Sequence, residues 1–338
     1  MKKNKNLIES LSKIRFLILL VGFLLINLSL WVDFLKGRPS IEFGLYQTTL
    51  LGVGVVLFLI GIYLHFPTQF LGTFKFSSLL IFIVGIFLFL INIVGLFLSL
   101  RDPEINGKET HVHGRTKRIN YNEREIINSI DKRIDEDNRD YAYRLVDLVY
   151  SSTYHFVEGS NPGRYNQRVP IYENYILYVK SFLPSESNIY VLCNPYKALE
   201  RGIGVCNQFA YIVFGFLEQN GISANIYVLD GHVVTEALIG QNLDQKWVLD
   251  ADLGVVLEYD IETLERNPDI VVETYQNFDY TEEYSKILAE IYGRQGNYIQ
   301  DKKDYCQHER QAYINKWVWP TLMMIPFGLR KLIGFLAR

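Results

Sequence analysis

The sequence predicts an α+β domain behind an N-terminal membrane region, and three observations predict it. Long apolar runs of this 338-residue chain are concentrated at its start. Helical periodicity then fills the stretch from Asn122 to Leu183. Short β-branched or alternating segments, separated by turn residues, follow from Ile189 to Leu249. Helices first and strands afterwards is the order of an α+β fold rather than of an alternating parallel one.

Three runs near the N-terminus are almost free of charge: Phe16 to Val32, Phe43 to Phe66 and Ser77 to Leu100. Each is about 17 to 24 residues long, the span of a hydrocarbon core at helical rise. Three transmembrane helices are therefore expected at 16–32, 43–66 and 77–100, within a membrane region covering 1–100. The first follows a basic arm, MKKNKNLIESLSKIR, and no small-x-small cleavage site precedes Asp33, so it reads as an uncleaved signal anchor. Lys2, Lys3, Lys5, Lys13 and Arg15 put the N-terminus in the cytoplasm, and three spans carry the remainder across. The expected protein is an integral membrane protein of the plasma membrane with an extracytoplasmic catalytic domain.

A charged linker at 101–120 carries His111 and His113 and leads to a domain at 121–316. Residues 317–338 are apolar but interrupted by Pro320, Pro326 and Gly328, with Arg330 and Lys331 among them. That composition suits a segment lying against membrane lipids. Formal charge is only −3, and no basic stripe interleaves with aromatics, so nucleic acid is not an expected partner.

Within the domain, Ile126, Ile127, Ile130 and Ile134 recur at helical steps, as do Tyr143, Val146 and Val149. A third helix, from Tyr175 to Leu183, stops at Pro184. Strands are expected at Ile189–Leu192, Ala224–Leu229, Val233–Ile239 and Lys246–Leu249. The helix beginning at Cys206 has a buried stripe of Phe209, Ile212, Val213, Phe216 and Leu217, and Gly221 closes it as a C-cap glycine would. Cys206 shares that stripe, so its sulfur is expected to point towards a sheet. The positive end of the helix dipole favours an anionic sulfur there, which suits a nucleophile.

The segment GHVVTEALIGQNLDQKWVLDAD reads as two strands and a polar turn. With the turn centred near Gln241, His232 and Asp250 oppose each other on one side of the hairpin; a slip of one residue would reverse the faces. Sulfur, imidazole and carboxylate then form the nucleophile, base and orienter of an acyl-transfer enzyme.

The run ALERGIGVCNQFAYIVFGFLEQNGISANIYVLDGHVVTEALIG, followed by KWVLDADLG, resembles the transglutaminase-like (transglutaminase/protease core) superfamily. Gly204-Val205-Cys206 matches its G-x-C at a helix start, and Gly221-Ile222-Ser223-Ala224 its G-I-x-A step. His232 matches its His-led strand, and Trp247 with Asp250 its W-x-x-D. The resemblance covers about 60 residues, Ala198 to Gly254, with four motifs in the right order. Two positions depart from it: Val233-Val234 follows the His, and Ala251-Asp252 follows the Asp, which makes Asp252 a rival orienter. The resemblance implies a papain-like fold in which the helix carrying Cys206 packs on an antiparallel sheet carrying His232 and Asp250. It implies acyl transfer or hydrolysis at peptide or carboxamide bonds of a protein or peptide substrate, through a thioester, with no cofactor and no metal.

Cysteines are few, and Cys193, Cys206 and Cys306 cannot all pair within one chain. Cys193 is expected in the core on a strand, with a Cys193–Cys306 disulfide as the alternative. The spacing of Cys193, Cys306 and His308 fits no common zinc pattern. Glu236, on the His232 strand, is expected at the surface. Two other functions compete with catalysis. One is a catalytically silent binding or scaffold module of a membrane assembly. The other, a transporter, is disfavoured because the apolar runs carry no charged group beyond His65 at an edge.

Overall fold

A computed structural model describes residues 76–336, apart from 113–114, 121–122, 157–162, 184–189, 240–244, 295 and 302. The chain divides into two compact units, one of Met1–Phe97 with Trp317–Arg338 and one of Leu98–Lys316.

In the first unit, helix α1 (Phe76–Gly95) buries Phe82 and Phe89, and the Phe89 ring meets Trp317 edge-on at 5.7 Å. Here the membrane expectation is corrected. The runs at 16–32 and 43–66 lie outside the described residues. The run at 77–100 is not one spanning element: helix α1 stops at Gly95, and Leu96 and Phe97 turn back on Ile93 and Val94 through short-range hydrogen bonds. Leu100, at its end, packs in the main core of the larger unit. Among the described residues no helix is long and apolar enough to cross a membrane. The described residues thus give no support to an integral membrane protein with an extracytoplasmic catalytic domain. The C-terminal run, prolines included, belongs to one helix over Lys303–Leu336.

The larger unit is α+β. After a 3-10 turn at Pro103–Ile105 comes a hairpin, β1 (Glu109–Val112) and β2 (Arg115–Arg118), within the stretch expected as a linker. Helices α2 (Glu123–Ile130) and α3 (Asn138–Ser152) follow. The apolar periodicity overran α2: Ile134 lies beyond it, fully exposed, while Ile126 and Ile130 are buried. Asp137 ends that turn by capping α3, accepting the Asp140 N–H at 2.8 Å. After β3 (Tyr154–His155) come α4 (Tyr175–Lys180) and α5 (Pro195–Arg201), each N-capped by an asparagine, Asn174 and Asn194. Gly202 closes α5 in the left-handed conformation, φ +63°.

Strand β4 (Ile203–Gly204) pairs in parallel with β3 and runs directly into α6 (Cys206–Gln219). Then comes the sheet: β5 (Ala224–Val228), β6 (Val233–Leu238), β7 (Lys246–Asp250) and β8 (Val255–Leu257). Helices α7 (Ile261–Arg266), α8 (Pro268–Asn277) and α9 (Glu282–Gly293), strand β9 (Tyr298–Ile299) and α10 (Lys303–Leu336) complete the order. The five strands lie β8-β7-β6-β5-β9, every neighbouring pair antiparallel.

The sheet is covered on both faces, which is why its strands read as near-continuous apolar runs. On one face Ala237, Trp247 and Leu249 pack with Phe209, Ile212 and Phe216 of α6 and with Val146 of α3. On the other, Val234, Val248 and Leu257 pack with Leu264, Val271 and Tyr275 of α7 and α8. Full burial of each such side chain is worth about 1.5–3 kcal/mol. Two expectations fail here. Tyr190–Leu192 form no strand, and Glu236 is buried, accepting the Ile261 N–H at 3.1 Å and pairing with Lys246 at 3.2 Å. A carboxylate that caps a helix start and meets an ammonium can be buried where an unpartnered one could not. Cys193 is bonded to Cys306.

Candidate active site

Cys206 is the first residue of α6, and the chain reaches it under tight constraint. A Cβ on Gly204 would lie 2.3 Å from Cβ of Gln208, so only glycine lets the helix start close over that strand. Gln208 is itself buried and acts as a clasp. Its Nε2 donates to the Leu192 carbonyl at 2.9 Å, and its Oε1 accepts the Leu192 N–H at 2.7 Å and Arg201 Nη2 at 2.6 Å. This bonding replaces the ladder expected at 189–192.

The turn Leu229-Asp230-Gly231-His232 positions the imidazole. Leu229 N–H bonds the His232 carbonyl at 2.8 Å, and Gly231 adopts φ +88°. Thr235, three residues on, donates its hydroxyl to the Ala210 carbonyl of α6 at 3.0 Å, fixing the strand against the helix that carries the cysteine. Asp250 ends β7, fully buried, and its Oδ1 accepts the Leu253 N–H at 3.2 Å.

These placements bring the three expected residues together. His232 Nε2 lies 2.8 Å from Asp250 Oδ2, and the imidazole is close enough to the Cys206 side chain for the two to interact electrostatically. With Nε2 committed to the carboxylate, Nδ1 is the ring nitrogen left for sulfur. Burial disfavours charge on His232, but the Asp250 carboxylate and then Cys206 outweigh it and hold its pKa well above the ordinary value.

The register differs from the expected one. Thr235 pairs with Leu249 and Glu236 with Val248, so continuing the ladder sets Asp250 opposite Val234 rather than His232. The two-residue offset keeps parity, and His232 and Asp250 meet on a diagonal. The face differs too. Thr235 and Ala237 point to α6, so the alternate residues point the other way, and Asp250 meets Tyr275 of α8. His232 can reach the cysteine because it precedes β6, at the end of the sheet rather than on its face.

Sequence reasoning missed four groups. Tyr275 donates its hydroxyl to Asp250 Oδ2 at 2.5 Å and lies 3.2 Å from the Tyr292 hydroxyl. His155 Nδ1 lies 2.7 Å from Asp252 Oδ1, so the rival orienter serves a different histidine. Burial opposes charge on Asp252, but His155, His232 and Lys117 together hold its carboxyl below the usual range. Lys117, from β2, is buried against the Tyr150 ring at 4.0 Å and the Phe209 ring at 5.0 Å. Burial drives its pKa down to about 7 against the pull of Asp252. No local pattern marks these residues, since each is recruited by long-range packing; His155 is only one of six histidines in the sequence.

Among the described residues no group of three or more His, Cys, Asp or Glu side chains is arranged to hold a metal ion. No family model, no curated protein and no solved structure matches this chain.

Proposed function

We propose that the protein is a cysteine enzyme of transglutaminase-like type, performing acyl transfer or hydrolysis on the peptide or carboxamide bonds of a protein or peptide. One observation carries the reading: His232 lies 2.8 Å from a fully buried Asp250 and is close enough to the Cys206 side chain to interact with it. Cys206 Sγ attacks the carbonyl carbon while its proton resides on His232. The imidazolium then gives that proton to the departing nitrogen, leaving a thioester on sulfur. Asp250 fixes the ring and stabilises its charge. The Cys206 N–H, at the first turn of α6, is suited to receive the developing oxyanion. Water or an amine resolves the thioester, and no cofactor is required by these steps.

The test is to incubate the protein with casein and a tagged amine and follow fragments and amine incorporation. Either product, lost in Cys206→Ala with an unchanged circular dichroism spectrum, supports the reading. Neither product, with Cys206 no more reactive towards iodoacetamide than an unfolded cysteine, overturns it in favour of a binding module.

A further inference from the structure

The site holds a second histidine–carboxylate pair, and it differs from the first in a way that assigns it work. His155 is anchored beside the nucleophile. Its strand pairs His155 with Gly204, two residues before Cys206, and the Phe156 N–H bonds the Gly204 carbonyl at 2.7 Å. The imidazole lies over the Phe209 ring, one turn into α6, at 6.3 Å between centroids. Asp252 takes its Nδ1 at 2.7 Å and is close enough to feel the charge of His232 as well. One buried carboxylate thus bonds one imidazole and feels the charge of the other.

The two rings differ in commitment and exposure. His232 is bonded to Asp250 and interacts electrostatically with Cys206, and its side chain is only 9% exposed. The His155 side chain is 23% exposed, and among the described residues no second partner takes its other nitrogen. Asp252, accepting the Nδ1 proton, fixes the tautomer whose Nε2 presents a lone pair. A partly exposed imidazole near the start of the helix that carries the cysteine is what an incoming acceptor needs and what the enclosed His232 does not offer.

We propose that His155 is the base on the acceptor side of the reaction, with Asp252 as its orienter; this rests on the reading of Cys206 as nucleophile. In the second half-reaction His155 Nε2 takes the proton of the incoming water or amine. The new oxygen or nitrogen bonds the acyl carbon, and the carbon–sulfur bond breaks with its electron pair returning to Cys206 Sγ. The proton on His155 then passes to solvent, and solvent returns one proton to the Cys206–His232 pair, replacing the one that left with the departing nitrogen. The acyl group ends on the acceptor, and no oxidant or reductant takes part. Two bases divide the cycle between them.

The test uses the full chain and p-nitrophenyl acetate, whose nitrophenol burst reports acylation and whose steady rate reports deacylation. In His155→Gln the burst rate stays within about twofold of wild type while turnover falls about 100-fold, the scale of a lost general base. Acetyl-Cys206 accumulates by intact-mass analysis, and hydroxylamine, which attacks without a base, restores turnover. Asp252→Asn, which keeps the ring and loses its orienter, gives an intermediate loss in the same step. It serves also as the second variant should His155→Gln fail to fold. A burst with unchanged turnover in both variants overturns the role of His155 alone, as does an equal loss of burst and turnover. Absence of any burst or acetyl-Cys206 in wild type overturns the reading of Cys206, and this proposal with it.

Discussion

Tyr275 and His232 share one acceptor: both bond Oδ2 of Asp250, at 2.5 Å and 2.8 Å. The tyrosine has no route to Cys206 and acts through the carboxylate. Burial and then the Asp250 charge push its own pKa well above the ordinary phenol value, so it stays a donor throughout the working range. Tyr275→Phe removes that donor and strands the Tyr292 hydroxyl. The expected cost is about 1–3 kcal/mol of stability, read by urea unfolding. If Tyr275 also positions the carboxylate, kcat falls while KM holds, and the pH profile of acylation shifts. A stability loss with an unchanged profile would mean the tyrosine only packs.

Gly204→Ala tests the approach to the nucleophile. The new methyl meets Cβ of Gln208, which is no flexible tip but the root of a clasped side chain. Overpacking of this kind costs about 1–3 kcal/mol. Because the displaced atoms begin the helix, Cys206 labelling by iodoacetamide is expected to slow as well. Labelling at the wild-type rate would show that the helix start tolerates the shift.

Lys117 gives a prediction in pH. Its folded value of about 7 lies below the 10.5 of a free lysine, so between those values the unfolded chain holds the extra proton. Stability from this group therefore rises with pH across that window, and the cost of the buried charge is full below it. Each unit is worth about 1.4 kcal/mol. Lys117→Met is expected to gain most on wild type at about pH 6 and to lose that advantage progressively from about pH 7 to about pH 10.5, in paired urea titrations. A difference independent of pH would contradict the depressed value.

The Cys193–Cys306 bond joins residues 113 apart. Restricting a loop of that size is worth about 2–4 kcal/mol in the unfolded ensemble. Double substitution to alanine should lower the unfolding midpoint by a matching amount and leave the rate of Cys206 acylation nearly unchanged. Loss of acylation would tie this bond to the site itself.

What could be read in the sequence was local. Cys206 at a helix start, the stripe from Phe209 to Leu217, Gly221 after the helix and the pair of strands around His232 and Asp250 all follow from spacing within a few turns. What could not be read was long-range. The register depended on how the chain passes from β6 to β7, which spacing alone does not fix. The side on which His232 works depended on its lying one residue outside β6. His155 reaches Asp252 across 97 residues, and Tyr275 reaches Asp250 across 25, by packing that no periodicity records. The apolar run at 77–100 shows the opposite failure: uniform composition hid the end of the helix at Gly95.

The bond between Cys193 and Cys306 has a topological consequence. Cys206, His232 and Asp250 all fall inside the covalent ring it closes, whereas His155 lies outside. A protease that nicks any one exposed turn within the ring yields a molecule that still migrates as a single species until a reductant opens it. A cut between His155 and Cys193 instead severs the chain and frees the segment bearing the second histidine.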